Sequence, residues 1–268
     1  MDRRMTFNIS QGSPGKRQSL LLVLLVIGGV IVSFAVFSFV RIWEFNAARS
    51  DFELLAEAHD ATLQKEIQLN LDIIEYVYSF YRGSNHVSRS EFSTFVSGPL
   101  ARRSAVRQLG WVPRVRGPDR ETFVQSFRAE GYDNFQLTEK DPQGALTRAG
   151  KRAEYFPVQY LEPAASGAAL LGVDLATDPI YRKAMFQARD SGRIVASGRI
   201  AMDDSGYYGI VLVKPVYRKG ALLDSVTARR EHLLGFLTEM VDISALLGEA
   251  VVSWGIFELD ITLLDEAA

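Results

Sequence analysis

The hydrophobic pattern changes period twice along the chain. Residues Leu20 to Val40 form one unbroken run in which 17 of 21 residues are apolar and none is charged. At 1.5 Å rise per residue such a helix is roughly 31 Å long, enough to cross a bilayer core of about 30 Å. The run is too long for a signal-peptide core, and no small-residue cleavage site follows it closely. From Arg41 to Tyr81 there is no Pro or Gly, and apolar residues recur at Leu63, Ile67, Leu71, Ile74, Tyr78 and Tyr81. These spacings of four and three define one helical face and predict a long stalk helix. Gly83-Ser84-Asn85 ends it. Ser88 and Glu91 have capping-box spacing and predict a short helix through Phe92, Phe95 and Val96, stopped by Gly98-Pro99.

Beyond that point the period shortens to that of strands. Leu109–Val115, Phe135–Thr138 and Tyr155–Leu161 read as strands, the last with Pro157 at an edge or bulge. Pro118 opens a helix with Phe123 and Phe127 on one side, closed by Gly131, and Asp178-Pro179 starts another that Gly192 closes, with Met185 and Phe186 inward. Arg193–Met202, Gly209–Tyr217, Leu233–Asp242 and Trp254–Leu263 complete the predicted strands. The fold class expected is α+β: a transmembrane helix (20–40), a stalk helix (41–82), then a region (83–268) of mostly antiparallel, PAS-like sheets.

Charge orients the apolar run. Arg3, Arg4, Lys16 and Arg17 precede it, whereas Arg41 and Arg49 behind it are mixed with Glu44, Asp51 and Glu53. The cationic flank stays in the cytoplasm, so residues 1–19 are expected there and the remainder outside, with Trp43 at the interface. The stalk stripe has two open readings, packing on its own domain or a parallel homodimer seam. The overall charge of −2 argues against nucleic acid as a partner. No cysteine is present, which excludes disulfide scaffolds, zinc ribbons, iron–sulfur ligation and thiol catalysis. The three histidines, His59, His86 and His232, are far apart, and no GxSxG, HExxH or P-loop occurs. No cofactor is expected. Asp203-Asp204 reads as a hairpin turn rather than a metal site.

Binding is the better-supported chemistry. A small-molecule pocket needs an apolar lining with a few directed polar groups. Apolar and aromatic candidates are Trp111, Tyr155, Pro157, Ile200, Tyr207 and Val213; polar candidates are Arg152, Arg182, Ser197 and Lys214. Strand alternation puts Val213 and Lys214 on opposite faces, so only one of them can face such a pocket.

The ordered strings LGWVPRV, RAEYFPVQYLEP, LLGVDLATDP, ARDSGRIVAS, GIVLVKPVY and LLGFLTEMVDI resemble a CHASE domain, over roughly Phe92 to Leu247. That family is an extracytoplasmic sensor module of bacterial sensor histidine kinases, diguanylate cyclases and plant cytokinin receptors. The resemblance implies a stalk carrying two PAS-like subdomains, a ligand site in the membrane-distal one, and a second span leading to a cytoplasmic output domain. The present sequence is accordingly expected to be the sensor end of a longer receptor in an inner membrane, itself without catalytic activity. Aligned on ARDSG, Tyr181 and Val213 fall where plant cytokinin receptors carry an aspartate and a threonine that read the ligand, and Ser197 matches a position near that pocket. An adenine without those partners loses a directed hydrogen bond, at about 1–3 kcal/mol. The expected ligand is instead a small molecule with an apolar body and an acceptor or anionic end, held between the 178–191 helix and the strands at 193–202 and 209–217. A ligand-free dimerisation ectodomain and an exported enzyme are the alternatives.

Overall fold

The computed structural model describes residues 15–141, 143–164, 168–202 and 208–252. The expected strand Trp254–Leu263, the Asp203-Asp204 pair and the candidate Tyr207 lie outside these residues. The chain divides into two compact units, residues 1–58 and 59–268. In the first, Leu20–Asn46 is a helix long and apolar enough to cross a membrane, and none of it is buried. It belongs to helix α1, which runs from Lys16 to Gly83 without interruption.

In the second unit, α1 is followed by α2 (Arg89–Arg102), β1 (Val106–Pro113), β2 (Val115–Arg116), a 3₁₀ turn at Gly117–Asp119 and α3 (Arg120–Ala129). Short strands β3 (Thr138–Lys140), β4 (Leu146–Arg148), β5 (Glu154–Tyr155) and β6 (Tyr160–Glu162) come next. Helix α4 (Pro179–Ser191) leads to β7 (Val195–Ala196), β8 (Ile200–Ala201) and β9 (Tyr208–Tyr217). Helix α5 (Val226–His232), β10 (Leu233–Asp242) and α6 (Ile243–Val252) follow. One six-stranded antiparallel sheet carries the unit, in the order β6-β1-β10-β9-β7, with β8 also paired to β9. Two further two-stranded pairs, β2-β5 and β3-β4, stand apart from it. The α+β class with mostly antiparallel sheets is as expected from the sequence.

The sheet is apolar on both faces because β9 and β10 are long and centrally placed. Leu212, Val216, Leu237 and Val241 project to one side, where they meet Ile74 and Val77 of α1 and Phe92 and Val96 of α2. Val211, Val213 and Phe236 project to the other, onto Ala184, Met185 and Ala188 of α4. A third, smaller core of Val124, Phe127, Phe135, Leu137 and Tyr155 lies under α3. The Arg89 guanidinium sits within 5.1 Å of the Phe127, Tyr132 and Tyr160 ring centroids and bonds Glu130 at 3.0 Å, tying α2 to that smaller core.

Several expectations are refined by packing. Ile74 is fully buried, and Leu71, Tyr78 and Tyr81 pack in the same core, so the upper stalk stripe is used within one chain; Ile67 is 42% exposed. The capping box at Ser88 and Glu91 forms, but α2 continues past Gly98-Pro99 to Arg102. Near a helix end, proline removes only one backbone bond. Phe135–Leu137 is not strand: Phe135 stacks flat on Phe127 at 3.8 Å and Leu137 is fully buried, so β3 starts only at Thr138. Tyr155–Leu161 splits into β5 and β6 around Pro157. The 193–202 strand breaks into β7 and β8 at Ser197, whose hydroxyl accepts the Val211 N–H at 2.8 Å in place of a backbone carbonyl.

One buried acid stands out in the sheet. Glu239, in the middle of β10 between Leu109 and Leu212, is fully buried, and neither carboxylate oxygen has a hydrogen-bond partner among the described residues. Burial pushes its pKa up to about 8, against the opposing pull of Arg103. The folded protein therefore holds a proton between about pH 4.5 and 8 that the unfolded chain has lost, and stability must fall as pH rises through that window. Glu239→Gln is expected to flatten this slope and to raise stability at pH 7 by on the order of 3 kcal/mol. Urea unfolding followed by circular dichroism across that pH range measures both effects.

Candidate ligand site

Helix α4 begins where Asp178, as N-cap, accepts the Ile180 N–H at 2.8 Å and Pro179 fixes the first turn. It ends at Gly192, whose φ of 76° suits a residue without a side chain. With Ala184, Met185 and Ala188 committed to the core, Arg182 and Phe186, one turn apart, lie on an adjoining face.

That face looks onto the segment around Asp174. Gly172 has φ 80°, and a Cβ there would come within 2.8 Å of the Phe135 ring and 2.9 Å of the Gln136 carbonyl oxygen, so the chain can turn here only with glycine. Two residues later Asp174 is 1% exposed, yet fully engaged. It accepts hydrogen bonds from Phe156 N (3.0 Å), Ala176 N (3.2 Å) and Arg152 Nη1 (2.8 Å). Burial raises its pKa, while those donors and the Arg152 charge oppose the rise. Arg152 reaches on to Glu139, forming a Glu139–Arg152–Asp174 chain of charges.

Between these two walls lies a cavity of about 390 Å³, lined by Arg152, Glu154, Phe156, Asp174, Ala176, Thr177, Arg182 and Phe186. Its size is within the range of small-molecule sites. The Phe156 and Phe186 rings meet edge to face at 6.1 Å and supply an apolar wall. Most of its charge is spent: Asp174 holds Arg152, and Glu154 accepts from Arg114 Nε at 2.7 Å. The Arg182 side chain is exposed and has no ion pair or hydrogen bond among the described residues. An aromatic wall beside an uncommitted guanidinium suits a small ligand with an apolar body and an anionic end.

Of the residues singled out from sequence, Arg152 and Arg182 line this cavity. Tyr155 points into the smaller core, where its hydroxyl donates to the Gly150 carbonyl at 2.9 Å and accepts from Arg120 and from Arg152 N. Pro157 forms a bridge with Asp174 behind the cavity wall. Tyr181 and Ile200 are half-buried against the α4 core, and burial together with Asp178 pushes the Tyr181 pKa up to about 12. Ser197 is buried with its hydroxyl occupied, and Val213 is fully buried. Lys214 is on the opposite face of β9, bonded to Glu75 of α1 at 2.5 Å with its ammonium 4.6 Å from the Tyr78 ring centroid, so it does not join the others. Trp111 is likewise on the α1 side. The cavity thus lies against the Asp174 segment rather than against β7 and β9. Asp174 and Phe156 were not singled out from sequence, and Phe186 was expected inward with Met185 and instead lines the cavity; the glycine two residues before Asp174 is the one local signal for the first of them.

The profile of the CHASE domain family matches residues 85–268. The chain belongs to the CHASE domain family. The match covers every strand of the six-stranded sheet and both walls of the cavity. The chain is also similar to hybrid signal transduction histidine kinase A of Dictyostelium discoideum, at 22% identity over 275 aligned positions. That alignment takes in 97% of this chain and 13% of the relative, so the chain spans about an eighth of that protein's length. CHASE domains are sensor modules of signalling receptors.

The buried acid of the CHASE domain cavity is open to a direct test. Asp174→Ala strands two backbone N–H groups and the Arg152 guanidinium, and is expected to cost on the order of 3 kcal/mol of stability. Thermal unfolding compared with the Arg182→Ala variant, expected to unfold within about 0.5 kcal/mol of the parent, separates the structural acid from the exposed cation.

Proposed function

We propose that this chain is the membrane-anchored, extracytoplasmic ligand-sensing end of a signalling receptor whose output is a histidine kinase or a diguanylate cyclase. The observation that carries this reading is the continuity of α1. One helix contains the apolar stretch Leu20–Asn46 and, further on, Ile74 and Val77 of the CHASE domain core. A change in how the sheet packs on Ile74 and Val77 therefore acts on the same helix that carries the span. The cationic N-terminal flank supports a cytoplasmic N-terminus. A second copy of the chain is the partner that suits the apolar positions Leu63 and Ile67, which stay outside the core.

In this reading the cavity beside Asp174 takes a small organic anion, its apolar body on Phe156 and Phe186 and its charge on Arg182. Phenylacetate and isopentenyladenine are two probes that separate this reading from a cytokinin-type site. Calorimetric titration is expected to detect phenylacetate, with at least a tenfold loss of affinity in Arg182→Ala, about 1.4 kcal/mol. Sub-micromolar isopentenyladenine binding, or phenylacetate binding unchanged by the substitution, overturns the ligand class. Orientation is tested separately. Alkaline phosphatase, which matures only outside the cytoplasm, should be active when fused at Asp265; activity of a cytoplasm-only reporter at the same position refutes the topology.

A further inference from the structure

The two walls of the cavity carry their open polar groups at opposite ends. On one wall Arg152, Glu154 and Phe156 alternate along the chain and all line the cavity, whereas Tyr155 between them turns into the smaller core. On the other wall Arg182 and Phe186 stand one helical turn apart, about 5–6 Å. Phe186 meets Phe156 at 6.1 Å, so the ring pair marks the middle of the cavity.

Arg182 lies at the end where α4 begins. Its backbone N–H donates to the carbonyl of Asp178, the N-cap, and Thr177 just before the cap also lines the cavity. Glu154 is tied toward the end where α4 finishes. Its Oε2 accepts from Arg114 Nε at 2.7 Å, and Arg114 Nη1 donates to the Arg230 carbonyl at 2.8 Å. The Arg230 guanidinium in turn grips Asp190 in the last turn of α4, with Nε 2.9 Å from Oδ1 and Nη2 2.5 Å from Oδ2. The order along the cavity is therefore Arg182, the ring pair, Glu154.

The unused donors and acceptors follow the same order. Arg152 and Asp174 are spent on each other, with Glu139 on the far side of Arg152. The Arg182 guanidinium has no ion pair or hydrogen bond among the described residues. Glu154 gives one oxygen to Arg114, and its Oε1 accepts no hydrogen bond among the described residues. A ligand charged only at its carboxylate satisfies Arg182 and leaves the Glu154 oxygen facing an apolar end.

We propose that the ligand of this cavity is an ω-amino carboxylate, with its carboxylate on Arg182, an apolar spacer against Phe156 and Phe186, and its ammonium on Glu154 Oε1. This rests on the reading of the cavity given above and adds a second charged end to that ligand. An ammonium brings three donors and no acceptor, which suits a carboxylate oxygen. Arg114 already holds Glu154 in place, so little side-chain freedom is lost on binding. In an α-amino acid both charges sit on one carbon, and they cannot reach Arg182 and Glu154 across the ring pair.

Calorimetric titration of the full chain in lipid nanodiscs with para-(aminomethyl)benzoate and para-methylbenzoate tests this, because the two probes differ only in the amine. The amine is expected to tighten binding about tenfold or more. Glu154→Gln, whose amide oxygen can still accept from Arg114, should erase that advantage while para-methylbenzoate binds as before, which shows the cavity intact. Arg182→Ala should weaken both probes. Equal binding of the two probes, or an amine advantage that survives Glu154→Gln, overturns the second charged end; para-methylbenzoate binding lost in Arg182→Ala then still upholds the carboxylate reading. Binding of neither probe overturns both.

Discussion

Strand β10 buries both of its faces, and that requirement organises the CHASE domain. A central strand with Phe236 on one side and Leu237 on the other needs cover in both directions. Helix α4 supplies it on one face and the end of α1, with α2, on the other. A large apolar side chain such as Ile74 contributes about 1.5–3 kcal/mol when fully buried. The stalk is therefore part of the fold of the sensor, not an appendage to it: removing α1 above residue 60 would strip one face of the sheet.

Two of the buried acids, Asp174 and Glu239, show how differently a carboxyl group can be accommodated. Asp174 meets two backbone donors and a guanidinium within 3.2 Å, and its carboxylate organises the loop that walls the cavity. Glu239 meets leucines on both neighbouring strands and finds no donor among the described residues. The first is a structural anion. The second is neutral at ordinary pH, because ionisation without a partner is too costly in that setting.

What could be read in the sequence follows from how local each signal is. Leu233–Asp242 was legible to the residue, and Gly209–Tyr217 to within one, because long apolar runs bounded by turns admit few other readings. The caps of α4 were legible because Asp178, Pro179 and Gly192 act within one turn of themselves. The break at Ser197 was not, since it depends on a hydroxyl standing in for a carbonyl opposite Val211, a residue fourteen positions away. Nor could the stripe from Leu63 to Ile74 be divided between core and surface without knowing where the sheet ends. For the cavity, Arg152 and Arg182 were visible as cations beside aromatic residues. Asp174 was hidden, because its one local mark, Gly172, signals a tight turn and not which acid will be walled in by backbone donors.

The alternation in β9 has a consequence for how such a protein can vary. Val213 serves the α4 side and Lys214, one residue on, serves the α1 side. Inserting or deleting a single residue within β9 would exchange the two, placing an ammonium in the apolar core beneath α4 and leaving Glu75 without its partner. Length is thus frozen along this strand, whereas single exchanges at Arg182 or Phe186 leave every register intact. Descendants of this chain can reshape the α4 wall of the cavity by point substitution, but β9 does not tolerate insertions or deletions.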